Sequence, residues 1–142
     1  MNLKTTAEML RRVCVFALTR RGRCFEGWPG KKVFAYMAFH AMAGTLLVNW
    51  QGGQPVAVGI LWPGRASEFI RRDREKLPQF DWRLPGRGPD HLVLQVIGDR
   101  VALAGLVPEL QRRGFFRGRL FTYRRDQFCE LNSATRFLKI YG

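Results

Sequence analysis

The sequence has few of the residues from which disulfide frameworks and metal centres are built. Its 142 residues include only two histidines and three cysteines, an odd number with no C-x-x-C spacing. These counts argue against a disulfide framework and a zinc site, and we expect no bound metal. The same cysteine usage favours a reducing environment such as the cytosol.

Long apolar runs are also absent. No run approaches the roughly 20 residues that a membrane-spanning helix needs. Arginines interrupt the N-terminal region at Arg11, Arg12, Arg20 and Arg21, and no A-x-A cleavage site follows, which argues against a signal peptide. We therefore expect a cytoplasmic protein without a membrane span.

Several catalytic motifs are missing as well. The sequence has no Ser–His–Asp arrangement, no paired carboxylate site and no Walker loop. Acidic residues are scarce, because 11 Asp and Glu stand against 24 Lys and Arg, for a net charge of +13. This balance predicts an anionic partner: nucleic acid, an anionic membrane face, a phosphorylated cofactor or an acidic protein. A basic surface without a polyanionic partner is the alternative.

The length and the 46% content of hydrophobic residues indicate a single domain, residues 1–142, with a core of its own. Hydrophobic periodicity predicts an α+β fold around a mixed sheet. The predicted elements are helices that begin at Thr5 or Thr6 and end before Arg20, then at Lys31–Met42, Ala66–Leu77, Val101–Leu110 and Ala134–Ile140, and strands at Thr45–Trp50, Pro55–Trp62, His91–Ile97, Phe116–Tyr123 and Gln127–Leu131.

Two predictions concern which side chains face the core. In the second helix the apolar face is expected to comprise Val33, Phe34, Met37, Ala38 and Ala41, with His40 a core or helix-end histidine. Aromatic residues stand beside basic ones at Phe115, Phe116, Phe121 and Tyr123. We favour the core for these aromatics over a surface on which nucleic-acid bases stack.

The stretch from His91 to Gly114 predicts a strand, a glycine turn and a helix that ends in basic residues. A helix that starts directly after a strand directs backbone N–H groups at a position that often binds phosphate. An ordinary strand–turn–helix packing unit is the alternative. Within the stretch, Gln95-Val-Ile-Gly98-Asp-Arg100 resembles the first part of the pyrophosphate motif of the GNAT superfamily of N-acetyltransferases, Gln/Arg-x-x-Gly-x-Gly/Ala. Arg100 stands where that family has a small residue, so it either obstructs the cofactor or contacts its phosphate.

Other parts of the chain resemble the toxin-activating lysine acyltransferases, a branch of the same superfamily. The matching segments occur in the same order along most of the chain: Thr6–Ala17, Gly27-Trp28-Pro29, Val33-Phe34-Ala35, Gln54–Ala57, Trp62, Ala66–Ile70 and Leu92–Ile97. The resemblance implies a GNAT-like fold, with a mixed, largely antiparallel sheet flanked by helices. It also implies transfer of an acyl group from acyl-coenzyme A or acyl carrier protein, which is acidic, to an amine of a protein. The residues that this assigns to the donor are Gln95, Gly98, Asp99, Arg100 and Val101, with Arg112 and Arg113 at its phosphates.

The catalytic residues of the resembled family are not carried over. That family pairs a histidine just before Trp-Pro with an aspartate on the central strand, and here the two positions hold Cys24 or Phe25, and Gln95. The candidates that remain are Cys24, whose thiolate the neighbouring arginines would favour, and His91 as a general base. An incidental cysteine and a non-catalytic histidine are the alternatives. The second functional hypothesis is therefore an inactive binding protein of GNAT-like fold whose basic face engages nucleic acid or an acidic protein.

Overall fold

A computed structural model describes residues 3–19, 25–79 and 86–141 of the chain. These residues form an α+β fold with a mostly antiparallel five-stranded sheet flanked by helices, which confirms the predicted fold class. The elements in chain order are α1 (Leu3–Thr19), α2 (Gly30–Ala43), β1 (Leu46–Gln51), β2 (Gln54–Gly64), α3 (Ala66–Arg74), β3 (Asp90–Gly98), α4 (Arg100–Ala104), α5 (Val107–Arg112), β4 (Leu120–Arg124), β5 (Gln127–Glu130) and α6 (Ala134–Tyr141).

The strands lie in the order β1-β2-β3-β4-β5. All neighbours are antiparallel except β3 and β4, which run parallel. The predicted β1–β2 hairpin is confirmed, and its turn consists of Gly52 and Gly53, both with positive φ. Two successive residues with positive φ make the turn whose twist matches that of paired strands, which is why glycines occupy it.

Two of the three hydrophobic clusters among the described residues lie on opposite faces of β2. On one face Val58 and Ile60 of β2 pack with residues of α1 and α2, and on the other Ala57 and Leu61 pack with residues of α4, α5 and α6. This alternation follows from the two-residue period of a strand, which places successive side chains on opposite faces. Helices therefore cover both faces of β2, and its side chains from Ala57 to Trp62 are buried.

The buried face of α2 differs from the predicted one. The buried residues are Val33, Tyr36, Met37 and His40, whereas Phe34 is 40% exposed and Ala41 is exposed. The observed set has the 3- and 4-residue spacing of a single helical face. Tyr36 and His40 can be buried because each has a polar partner, Gln95 and Thr45 respectively. The prediction of a core histidine at position 40 is confirmed.

Three other predicted elements differ at their ends. The helix expected at Val101–Leu110 is two short helices, because Pro108 lies in the first turn of α5 and has no N–H to continue α4. The strand expected from Phe116 begins at Leu120, since the chain turns tightly at Gly114, where φ is +75°. The helix expected to reach Leu77 ends at Arg74.

Asp90, the first residue of β3, fixes the start of this strand to two other elements. One carboxylate oxygen accepts the backbone N–H of Ala66 at 2.8 Å, and the other accepts that of Arg119 at 2.7 Å. These hydrogen bonds connect β3 to the beginning of α3 and to the residue before β4. The parallel pair β3–β4 is thus firmly joined at its N-terminal end.

Candidate functional site

The parallel strands β3 and β4 pair only where they begin. Their register comprises His91↔Leu120, Leu92↔Phe121 and Val93↔Thr122, and no further pairs are formed between them in the described structure. β3 nevertheless continues to Gly98, paired with β2 alone. The two strands therefore diverge towards their C-terminal ends.

A β-bulge lies in β3 where the divergence begins. Gln95 pairs with Ile60 and Val93 pairs with Leu61, so Leu94 between them has no partner on β2. A bulge bends its strand and interrupts the alternation of side chains. Leu94 and Gln95 consequently both project to the face covered by α1 and α2, where Gln95 contacts Tyr36.

A cavity of about 570 Å³, which we call the cleft, occupies the space between the diverging strands. Part of its wall is apolar, formed by residues of β3 and by Leu77 and Pro78 after α3. Five polar side chains interrupt this wall: Gln79, Gln95, Thr122, Tyr123 and Tyr141. A mostly apolar cavity with a few converging polar groups is the usual form of a small-molecule site.

Gln95 is held in place by a residue behind the cleft. The hydroxyl of Tyr36 donates a hydrogen bond to Gln95 Oε1 at 2.7 Å. Tyr36 is 2% exposed, and its ring packs edge-on against Phe25, Trp28 and His40. This packing fixes the hydroxyl, and through it the amide of Gln95.

The phenol of Tyr141 bounds the cleft on the side of β4. It forms a hydrogen bond with the hydroxyl of Thr122. Burial raises the pKa of Tyr141, so its hydroxyl remains protonated at neutral pH. Arg124 lies close enough to Tyr141 to oppose part of that rise in pKa. The cleft therefore contains hydroxyl groups that can donate hydrogen bonds, next to a cationic residue.

Tyr123 and Gln79 close another side of the cleft. The amide nitrogen of Gln79 donates to the carbonyl of Phe69 at 2.7 Å and to the Tyr123 hydroxyl at 3.0 Å. The Tyr123 hydroxyl donates in turn to Asp73 at 3.1 Å. Burial is the main cause of a raised pKa at Tyr123. These contacts join the segment after α3 to β4.

The predicted donor-binding turn follows the C-terminal end of β3, two residues after Val96, the last residue of β3 that lines the cleft. Gly98 has φ of +143°, and an added Cβ would lie 2.9 Å from the carbonyl oxygen of Val56, so close packing against β2 already requires this glycine. Asp99 caps α4 by accepting the backbone N–H of Ala102 at 2.8 Å. Arg100 and Val101 are exposed, Val101 at 85%. The assignment of this turn to donor phosphates stays a prediction.

Arg112 and Arg113 lie elsewhere. Both form ion pairs with Glu109 on α5, at 2.7 Å and 3.4 Å. Arg113 also donates to the carbonyls of Gly44 and Leu46, which places it at β1, the strand at the opposite edge of the sheet from β4 and β5. The structure thus brings Gln95 to the cleft but does not bring these two arginines together with it.

His91, one of the two predicted catalytic residues, does not line the cleft. His91 lies at the N-terminal end of β3, where its ring packs edge-on against Phe115. Its Nδ1 atom is buried without a hydrogen-bond partner among the described residues, and burial lowers its pKa. Cys24 falls outside the described residues. Phe25 is the other residue of this chain that could stand at the position of the family's histidine. It is buried and packs against Trp28.

Two further cavities of similar size lie away from the diverging strands. One, of about 540 Å³, lies beside α1 and is lined by Arg11 and Arg12. The other, of about 550 Å³, lies beside α3, where Glu68 is already paired with Arg71 and Arg72. Neither lies between two strands that diverge, so we assign the candidate site to the cleft.

The described residues define an α+β protein whose central parallel strand pair opens into a partly polar cleft. No model of a known protein family matches the chain, and a comparison with curated proteins finds no match either. Among the described residues, no group of three or more His, Cys, Asp or Glu side chains is arranged to bind a metal ion. None of the helices in the described ranges is both long enough and apolar enough to cross a membrane.

Sequence reasoning missed four polar residues of this site: Tyr36, Gln79, Thr122 and Tyr141. Tyr36 was not among the residues assigned to the core face of its helix. Thr122 lies on a predicted strand, but its contact with Tyr141 depends on how α6 packs against the sheet. The helical spacing of Tyr36 with Val33 and His40 was the one signal that could have identified a polar residue at this buried face.

Proposed function

We propose that this protein is an acyltransferase that moves an acyl group from a thioester donor, acyl-coenzyme A or acyl carrier protein, to an amine of a protein. The observation that carries the proposal is the divergence of β3 from β4 after Val93. It supplies both a cavity and a strand edge without a partner. The resemblance to acyltransferases gives the class of ligand.

The exposed edge of β3 suits the chemistry of this donor. Beyond Val93, the backbone N–H and C=O groups that point away from β2 have no strand partner in the described structure. Such groups need hydrogen-bond partners, and an extended ligand with amide groups can add to a sheet edge as a further strand. The pantetheine arm that coenzyme A and acyl carrier protein share is extended and contains two amides. It therefore fits the space between β3 and β4.

The reaction requires mainly that two groups be positioned. The amine nitrogen forms a bond to the thioester carbonyl carbon, the carbon–sulfur bond breaks, and the departing thiolate takes the proton that the amine loses. Holding amine and thioester in contact can supply much of the rate, so a side-chain base is not essential. In this arrangement the donor phosphates would lie beyond the C-terminal end of β3, near the predicted turn Gly98–Val101 and near Arg124.

Titration of the isotopically labelled protein with acetyl-coenzyme A, followed through backbone amide NMR signals, tests the proposal. We expect shifts at Leu94–Ile97 and at Thr122–Arg124, whereas the amides of β1 should remain unchanged as an internal control. Parallel titrations use longer acyl-coenzyme A and acyl carrier protein. Absence of binding to every donor, or shifts confined to another surface, would contradict the proposed function.

The inactive binding protein remains the second candidate, because several cations are exposed and take part in no ion pair within the described structure. Among them are Arg124, Arg125, Arg136 and Lys139. The test is elution from immobilised DNA or heparin at increasing salt. A binder that contacts several phosphates loses affinity steeply with salt, whereas weak retention already at low salt contradicts this function.

A further inference from the structure

We propose that Gln95 binds the carbonyl oxygen of the acyl thioester through its side-chain amide nitrogen, and that Tyr36 is the positioning residue that orients this amide. The inference rests on the proposed function and deepens it, because it names the part of the donor that lies beside the bulge of β3. It also assigns a role to a tyrosine of α2 that lies behind the cleft.

The orientation of the amide follows from its hydrogen bond. Tyr36 donates its hydroxyl proton to Gln95 Oε1 at 2.7 Å, so the oxygen end of the amide is directed towards α2. The nitrogen end, Nε2, then points away from Tyr36. Gln95 is half-buried and lines the cleft, and its Nε2 has no hydrogen-bond partner within the described ranges. An N–H donor therefore faces the cleft.

The surroundings of this donor select its partner. Leu92 and Leu94 of β3 supply apolar surface beside Gln95, and Val96 lines the cleft from the opposite face of the strand. A ligand group here must accept a hydrogen bond and carry apolar substituents. A thioester carbonyl with its acyl chain meets both requirements, whereas an ammonium group, which only donates, does not. The resembled acyltransferases have a carboxylate at this position, so the polarity of the site is reversed in this chain.

The same contact gains strength during the reaction. When the amine attacks, the carbonyl oxygen takes the negative charge of the broken π bond, and a preorganised N–H donor stabilises that charge. The charge returns to re-form the carbonyl as the carbon–sulfur bond breaks. The thiolate leaves with the electron pair and takes the proton from the attacking nitrogen. Gln95 remains neutral and needs no change of protonation.

Paired ligands test the contact with the carbonyl. Acetyl-coenzyme A has the carbonyl oxygen, and S-ethyl-coenzyme A is the thioether that lacks it. We expect the protein to bind the thioester about 3- to 10-fold more tightly, as one neutral hydrogen bond provides. Gln95→Met should abolish this preference and leave thioether affinity unchanged. Tyr36→Phe should reduce the preference, while Gln54→Met, at an exposed glutamine outside the cleft, should preserve it.

The carbonyl stretching frequency of the bound donor tests the same hydrogen bond, and it can be measured in the unmodified protein. With a ¹³C label at the thioester carbonyl, a hydrogen bond lowers the carbonyl stretching frequency of the bound donor below that of a thioester in an aprotic solvent, where the carbonyl accepts no hydrogen bond. Gln95→Met should return it to the value for a carbonyl without this bond. If the bound frequency shows no lowering in the unmodified protein, the inference fails even where Gln95→Met does not fold.

The outcomes separate this inference from the proposed function. Equal affinity for both ligands, unaffected by Gln95→Met, overturns the role of Gln95 and leaves the acyltransferase proposal standing. An equal loss of affinity for both ligands in Gln95→Met overturns it too, because Gln95 would then support the cleft and not the carbonyl. If neither ligand binds the unmodified protein, both proposals fall.

Discussion

Acidification should destabilise this protein through His40, well above the pH at which its carboxylates are protonated. His40 is fully buried, with Nδ1 2.7 Å from the hydroxyl oxygen of Thr45, and aromatic rings of Tyr36, Phe39 and Trp62 surround it. Burial lowers its pKa from 6.5 to about 4. The folded protein therefore keeps His40 neutral at a pH at which the unfolded chain already takes up a proton.

The sign and size of the effect follow from this difference in pKa. Between about pH 6.5 and pH 4 the unfolded state binds more protons at position 40, so the free energy of unfolding falls as the pH falls. The full shift corresponds to about 3 kcal/mol, of which about 2 kcal/mol is lost between pH 7 and pH 5. For a domain of this size that is a substantial part of the total stability.

Urea unfolding at a series of pH values measures the effect, with His40→Gln as the variant that cannot titrate. We expect the dependence on pH to be much shallower in His40→Gln, whatever its stability at neutral pH. His91, whose pKa burial also lowers, acts in the same direction, so His91→Gln should retain the part of the pH dependence that His40 causes. Equal pH dependence in the unmodified protein and in His40→Gln would refute the reasoning, as would an NMR titration that gives His40 an ordinary pKa.

Three further predictions concern stability at neutral pH. Gly98→Ala should lower the free energy of unfolding by roughly 1–3 kcal/mol, because φ is +143° there and the added Cβ meets backbone atoms. Gly30→Ala, where an added Cβ has open space, should leave the free energy of unfolding unchanged or raise it. Leu106→Ala should cost roughly 2–5 kcal/mol at a 1% exposed position, against less than about 0.5 kcal/mol for Val101→Ala. Asp90→Ala leaves two backbone N–H groups without their acceptor and should cost roughly 1–3 kcal/mol. Urea unfolding measures the stability of all five variants. Equal losses of stability within the glycine pair or within the apolar pair, or an unchanged unfolding midpoint for Asp90→Ala, would contradict the corresponding reasoning.

Local patterns in the sequence predicted most of the fold. The β1–β2 hairpin could be predicted because its turn residues, Gly52 and Gly53, have a backbone preference that acts over two residues. The strand, turn and helix at His91–Leu110 were also predicted, except that the helix is interrupted near Pro108. In each case the determining interaction lies within a few residues of the chain, where propensity and periodicity apply.

The cleft could not be predicted in the same way, because its geometry depends on distant pairs. The bulge at Leu94 depends on how β3 pairs with β2. The divergence depends on how β3 pairs with β4, and α4 and α5 separate these two strands in the chain. Likewise, Tyr36 and His40 lie at the core because Gln95 and Thr45 satisfy their polar atoms, and Gln95 is 59 residues away from Tyr36. Periodicity assigned apolar residues to that helical face, since it takes no account of such partners.

The short pairing of β3 with β4 also has a mechanical consequence. Within the described parts of the chain, backbone pairing joins β1–β2–β3 to β4–β5 through only three residue pairs, while α6 packs against the face formed by α4 and α5. Local opening follows the weakest set of backbone hydrogen bonds. Thermal fluctuations should therefore separate β3 from β4 before they affect the pairing of β2 with β3. An extended ligand in the cleft would supply the hydrogen bonds that β3 and β4 do not form with each other. It would thereby join β1–β2–β3 and β4–β5 into one continuous sheet.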